Sequence, residues 1–78
     1  MGISVFFFGQ LTDITGCAIM QLKDEVQDTD QLDNLLKERY PLLQQSKYVI
    51  TVDRTIIREN RRLTPDTEIA LLPPFSGG

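Results

Sequence analysis

Apolar positions along this chain fall into short strand-like runs around one helical stretch. Ile3-Ser4-Val5-Phe6-Phe7-Phe8 is rich in β-branched and aromatic residues and stops at Gly9, which predicts a strand. Ile3, Val5 and Phe7 share one face, and Ser4, Phe6 and Phe8 share the other. Both faces are largely apolar. One must pack on the core, and ordinary burial is the expectation for Phe6 and Phe8 too. Gln10 to Thr15 mixes polar and apolar residues and fits a single helical turn stopped by Gly16. Cys17 to Leu22 predicts a second strand, with Lys23-Asp24 turning away.

The helical stretch follows. Asp28 has Gln31 three residues on, the spacing of a capping box. Leu32, Leu35, Leu36 and Tyr40 then recur at helical spacing and form one apolar stripe. Asp28, Asp30 and Asp33 crowd the start while Lys37 and Arg39 sit near the end, an arrangement that suits the helix dipole. Pro41 disfavours a helical Tyr40 and sets the end of the helix there.

Tyr48 to Val52 predicts a third strand, Asp53-Arg54 a turn, and Thr55-Ile56-Ile57 a short returning strand. Arg58 to Arg62 reads as a charged loop. Thr64-Pro65-Asp66-Thr67 has the chemistry of a β-turn with Pro in its second position, and Glu68 to Leu72 is the last strand. The order is strand, strand, helix, strand, short strand, strand. It describes an α+β domain: a mixed sheet of about five strands with one main helix, the last strand lying beside the first. This matches the ubiquitin-like β-grasp, and pattern alone leaves other small α+β folds open. Residues 1-72 form the domain, and residues 73-78 an extended tail.

Composition narrows the function. Seventy-eight residues make one small domain with a modest core. The chain has no His, which removes imidazole bases, Ser-His-Asp triads and His-ligated metals. A single Cys removes intramolecular disulfides and Cys-cluster metal sites, and fits a reducing cytoplasm. No metal site is expected. Neither Gly-rich nucleotide motif is present. A net charge of −3 disfavours nucleic acid. The acids concentrate in residues 1–40 and the bases in residues 41–78, a distribution that solvated surface explains. No stretch is long and apolar enough to span a bilayer. The uncharged opening has no basic residue ahead of its apolar part, unlike a signal peptide. The expectation is a soluble, cytoplasmic protein with no membrane partner.

The ending is the informative segment: Pro73-Pro74-Phe75-Ser76-Gly77-Gly78. Two prolines cannot donate sheet hydrogen bonds, so they end the last strand, and they stiffen the chain beyond it. Six residues extend about 20 Å. Gly77 and Gly78 make a slim tip able to thread a narrow channel and present a terminal carboxylate. A carboxylate is a poor electrophile. Activated as an acyl-adenylate, it reacts with nitrogen or sulfur nucleophiles, and sulfur leaves a thiocarboxylate, itself a good sulfur nucleophile. Nothing here binds nucleotide, so a partner enzyme must supply the ATP site.

Along its whole length the chain resembles the MoaD/ThiS family of sulfur carriers. The marks are Val5-Phe6-Phe7-Phe8-Gly9-Gln10-Leu11 with Ile14-Thr15-Gly16 behind it, and the helix around Leu32-Leu35-Leu36. Leu63-x-x-Asp66-x-Glu68-Ile69-Ala70-Leu71-Leu72 then runs into the Pro-Pro-x-x-Gly-Gly ending. That ending resembles the MoaD branch, the small subunits of molybdopterin synthase, more than the ThiS branch, which usually lacks paired prolines.

The resemblance implies that a MoeB-type enzyme adenylates Gly78 and that the glycine becomes a thiocarboxylate. The tail then docks into a MoaE-type large subunit and gives sulfur to precursor Z in molybdenum cofactor biosynthesis, within a heterotetramer. By the same resemblance Gly78 bears the sulfur and Gly77 passes the channel, while Pro73, Pro74, Phe75 and Ser76 contact the partner. The chain itself would bind no cofactor, ATP being used by the activating enzyme, and the catalytic residues would lie on the large subunit. Two positions depart from the family. Pro65-Asp66 stands where Gly-Asp is usual, and Phe75 is bulkier than the common Val or Ala.

A ThiS-like carrier for thiamine thiazole synthesis, a ubiquitin-like modifier joined to lysines through Gly78, and a passive interaction module are the alternatives. Cys17 reads as an inert packed residue rather than a persulfide carrier, since no basic neighbour precedes Lys23. Arg54, Arg58, Arg61 and Arg62 read as solvated charge, and a loop or pairing with a basic partner accounts equally well for Asp24-Glu25.

Overall fold

The structure is a computed structural model and describes residues 2–23 and 25–74. Five strands form one mixed sheet: β1 (Ile3–Phe7), β2 (Ile19–Leu22), β3 (Val49–Val52), β4 (Thr55–Ile57) and β5 (Glu68–Leu72), in the order β2-β1-β5-β3-β4. β1 and β5 run parallel at the centre. The other neighbouring pairs are antiparallel. The last strand therefore lies beside the first, as the element order predicts, and the fold is the ubiquitin-like β-grasp.

Between β1 and β2 lies the short helix α1 (Leu11–Thr15), closed by Gly16 at φ 79°, a left-handed cap that suits glycine. The main helix α2 (Thr29–Arg39) starts as its sequence dictates. The Asp28 carboxylate accepts from the Gln31 N–H at 2.9 Å, and the Gln31 side-chain oxygen accepts from the Gln27 N–H at 2.8 Å. The box is thus displaced by one residue, reaching back to the position before the cap. Asn60 adds a second cap from the far loop, its side-chain oxygen accepting from the Asp30 N–H at 2.9 Å.

Strand alternation sorts the sheet into two faces. Ile3, Val5 and Phe7 of β1 and Ile69 and Leu71 of β5 are buried with Leu22, Val52, Leu32, Leu36, Leu11, Leu43 and Leu63 in one cluster. Phe7 meets Tyr40 edge to face, ring centres 6.4 Å apart. Leu43 belongs to a 3-10 helix, Pro41–Gln45, that the sequence pattern does not predict. The turn follows from Pro41, which ends α2 but pre-sets the backbone angle for a new tight turn.

The two turns about β5 are closely specified. Asp53 (φ 48°) and Arg54 (φ 71°) are both left-handed, as a two-residue hairpin between twisted strands requires. Asp53 also ties the hairpin to β5: its N–H donates to the Glu68 carbonyl at 2.8 Å, and its carboxylate accepts from the Glu68 N–H at 3.1 Å. In Thr64-Pro65-Asp66-Thr67 the Thr67 N–H donates to the Thr64 carbonyl at 3.2 Å, and Asp66 has φ 70°. Pro second and positive φ third is the geometry of a type II turn.

Candidate functional site

β5 delivers the C-terminal segment from the middle of the sheet. Its last rungs are a hydrogen bond from the Phe8 N–H to the Leu71 carbonyl, 3.2 Å, and the pairing of Leu72 with Val49 of β3. Pro73 and Pro74 follow in no regular element, Pro73 half-buried and Pro74 exposed. Lacking N–H groups, they stop the ladder at Leu72. The chain thus leaves the sheet at the end where β1 passes through Gly9 into α1. Pro73 lies against Gly9, close enough that a Cβ built on Gly9 would sit 2.8 Å from the Pro73 Cγ. The expected roles of Phe75, Ser76, Gly77 and Gly78 fall on residues outside those described.

The face of the sheet opposite α2 opens beside this exit. Cross-strand register places Ile19, Phe6, Ala70, Thr51 and Ile56 in a single row spanning all five strands. Phe8, Leu72 and Val49 carry the same face one step toward the exit. Neither row contains a charge. Phe8 is 47% exposed, Ile19 55% and Ile56 47%, while Phe6, Ala70, Leu72 and Val49 are half-buried. The expectation of ordinary burial for Phe6 and Phe8 is therefore corrected. α2 and the 3-10 helix cover only the face of Ile3, Val5 and Phe7, and among the described residues no element covers the other face.

Sequence reasoning found Phe6 and Phe8 but missed Ile19, Val49, Ile56 and Leu72 as members of one surface. The signal was present in strands apolar on both faces with one helix to cover them, but the register that aligns them across five strands comes only with the fold.

The remaining candidates are quieter. Cys17 is half-buried against the core, with its Sγ 3.9 Å from the Thr15 hydroxyl. Arg54 pairs loosely with Glu68 at 3.6 Å, mostly in solvent, where such a pair contributes little. Arg58, Arg61 and Arg62 are exposed. Asp24 lies outside the described residues, and Glu25 is exposed. On the far side of α2 the Tyr48 hydroxyl donates to the Asp33 carboxylate, which also pairs with Lys37 at 3.0 Å. Burial, then the Asp33 hydrogen bond and charge, push the Tyr48 phenol above its usual range. This group braces α2 against the start of β3. Among the described residues no cluster of metal-ligating side chains is present, and no helix is long and apolar enough to cross a membrane.

Comparisons with known proteins agree with this architecture. The crystal structure of SAMP1 from Haloferax volcanii superposes with a TM-score of 0.80 over 100% of both chains, at 16% sequence identity. At that identity the likeness establishes the shared fold. A family model described as the ThiS family matches residues 5–78, from the first strand to the terminal glycine. The chain therefore belongs to the ThiS family of ubiquitin-like sulfur carriers.

Proposed function

We propose that this chain carries sulfur on Gly78 as the small subunit of a molybdopterin synthase. The observation that carries the reading is the family match running through to Gly78, together with the Pro-Pro-x-x-Gly-Gly ending that it includes. A MoeB-type enzyme joins the Gly78 carboxylate to the α-phosphorus of ATP, and pyrophosphate leaves. A persulfide sulfur on a partner protein then displaces AMP to give an acyl disulfide, and a second thiol attacks the donor's own sulfur, which leaves the thiocarboxylate on Gly78 and a disulfide on the donor. A MoaE-type large subunit receives the tail, and the thiocarboxylate sulfur attacks precursor Z there. This chain supplies the reacting group, a stiff approach through Pro73 and Pro74, and a docking surface.

That surface is the apolar face running from Ile19 to Ile56. It is continuous with the tail, since Leu72 belongs to the face and Pro73 is the next residue. A protein that takes the tail from this exit meets Phe8 and Leu72 beside it, and covering them removes apolar surface from water. The activating enzyme and the large subunit both need the same six residues, so they bind in alternation.

The test is the intact mass of the native chain from cells holding its own activating enzyme. A gain equal to exchange of one oxygen for one sulfur is expected, localised to the C-terminal peptide and lost on deletion of Gly78. An unmodified mass despite active enzyme and sulfur source overturns the carrier reading, and lysine-linked adducts in those cells point to the modifier instead. The family name itself favours a second reading, a carrier for thiamine thiazole synthesis. Co-purification separates the two: a MoaE-type subunit retained by the thiocarboxylated chain supports the first, and a thiazole synthase in its place supports the second.

A further inference from the structure

Gly9 marks strand β1's end in sequence, yet the structure gives it a second job. Its φ of 60° lies in the left-handed region. Its backbone is held from both sides. The preceding Phe8 N–H is bonded to the Leu71 carbonyl at 3.2 Å, and the Gly9 carbonyl accepts from the Thr12 N–H at 3.1 Å and from the Thr12 hydroxyl. Against this fixed backbone rests the ring of Pro73, at a separation that leaves no room for a Cβ, which would lie 2.8 Å from Pro73 Cγ. Contacts that short are not sustained, so a side chain at position 9 forces one partner to move. Gly9 is anchored in the sheet and in the turn into α1. Pro73 lies past the last rung of the ladder, so Pro73 is the partner that yields.

We propose that Gly9 is a positioning residue for the C-terminal tail: its bare backbone is the seat on which the Pro73 ring rests, and this seat sets the direction in which the chain leaves β5. The proposal rests on the sulfur-carrier reading, because direction matters only if a remote carboxylate must reach an active site. Pro74, the next residue, carries on the angle set at Pro73, as a flexible residue would not. The apolar face fixes how the domain sits on a partner, and the Gly9–Pro73 contact fixes where the tail then points.

The two functions separate kinetically. Docking through the face governs the KM for the carrier, whereas aim of the tail governs kcat for adenylation. The experiment uses the full chain, its activating enzyme and ATP, and follows pyrophosphate release with Gly9→Ala, Gly9→Asn, Pro73→Ala and the Gly9→Ala/Pro73→Ala double variant. Asn tolerates left-handed φ while carrying a Cβ, so it separates crowding from backbone strain. Both Gly9 variants are expected to lower kcat about tenfold or more, because small misplacements of a reacting group are costly. Their KM should stay within about threefold of the parent, and the double variant should recover to within about threefold of Pro73→Ala alone, since removing the ring reopens the space.

A nuclear Overhauser contact between the Gly9 α-protons and the Pro73 ring in the parent chain checks the seat without any enzyme. Should the Gly9 variants fail to fold, Pro73→Gly, which releases the tail from the seat outside any strand, is expected to show the same loss of kcat. Undiminished kcat in a folded Gly9→Asn chain, effects of Gly9→Ala and Pro73→Ala that simply multiply, or a missing Gly9–Pro73 contact overturns the positioning role alone. A parent chain that shows the contact but is never adenylated overturns the carrier reading and the proposal with it.

Discussion

Phe7 and Phe8 are adjacent residues on opposite faces of β1, and they separate folding from docking. Phe7 is 2% exposed, inside the core cluster and against Tyr40. Truncating a buried Phe to Ala removes about 3–5 kcal/mol, transfer and cavity terms together. A domain of this size has a total stability of roughly 3–5 kcal/mol. Phe7→Ala should therefore be largely unfolded at room temperature.

Phe8 is 47% exposed in the isolated chain. Full burial of a Phe side chain contributes about 1.5–3 kcal/mol, so the half already buried contributes on the order of 1 kcal/mol to the fold. The exposed half is left to contribute on the order of 1 kcal/mol when a partner covers the face, roughly fivefold in affinity. Phe8→Ala should keep a two-state urea transition with a modestly lowered midpoint, and should raise the KM for the carrier in adenylation about fivefold with kcat little changed. Far-UV circular dichroism against urea and carrier-dependent pyrophosphate release make the two measurements. The reasoning is refuted if Phe8→Ala loses as much stability as Phe7→Ala, or if its KM does not move.

Two further outcomes follow from α2 and its neighbours. Asp28→Ala leaves the Gln31 N–H without its cap and should cost about 1 kcal/mol, read as a lower urea midpoint at unchanged slope. Tyr48→Phe removes the hydroxyl that binds Asp33 and should destabilise by about 1 kcal/mol at neutral pH. It should also change the alkaline limb. The folded Tyr48 pKa lies above its ordinary value of 10.0, so the unfolded chain loses the proton first. The stabilisation is present in full below that value and is lost as pH rises from there through the folded pKa. Urea titrations across the alkaline range should show a steeper fall for the parent than for Tyr48→Phe, and parallel curves would refute the assignment.

Much of the fold was legible because local chemistry and global placement agree in this chain. Asp28 and Gln31 begin α2, Gly16 caps α1, and Glu68 to Leu72 is bounded by a Pro-containing turn on one side and Pro73 on the other. The boundaries drifted where pairing rather than propensity decides. The predicted strand from Cys17 starts at Ile19, although the Phe7 N–H still reaches the Ala18 carbonyl at 2.8 Å. The 3-10 helix was missed because Pro41 signals an ending, and only the packed fold shows Leu43 turned back into the core. At the site, the end of β5 at the paired prolines was legible from composition, and the roles expected of Phe75, Ser76, Gly77 and Gly78 lie outside the described residues. The close approach of Pro73 to Gly9 was not legible, because the two are far apart in sequence and meet only through the parallel pairing of β1 with β5.

That pairing also explains why an edge strand would serve this tail poorly. β5 is hydrogen-bonded on both sides as far as Leu71, to β1 and β3, and Leu72 pairs with Val49 of β3, so fraying that passes Leu72 must break two ladders. The same central position puts Ile69 and Leu71 at 0% exposure on one face, while Ala70 and Leu72 stand in the apolar surface on the other. Alternate residues of one strand thus secure the domain and build its open apolar face, and Pro73 follows them directly. A partner that grips the face holds the tail's origin through a short, doubly paired strand, without a hinge among the described residues between them. Pro73 and Pro74, which cannot extend either ladder, then carry the chain away from that fixed origin.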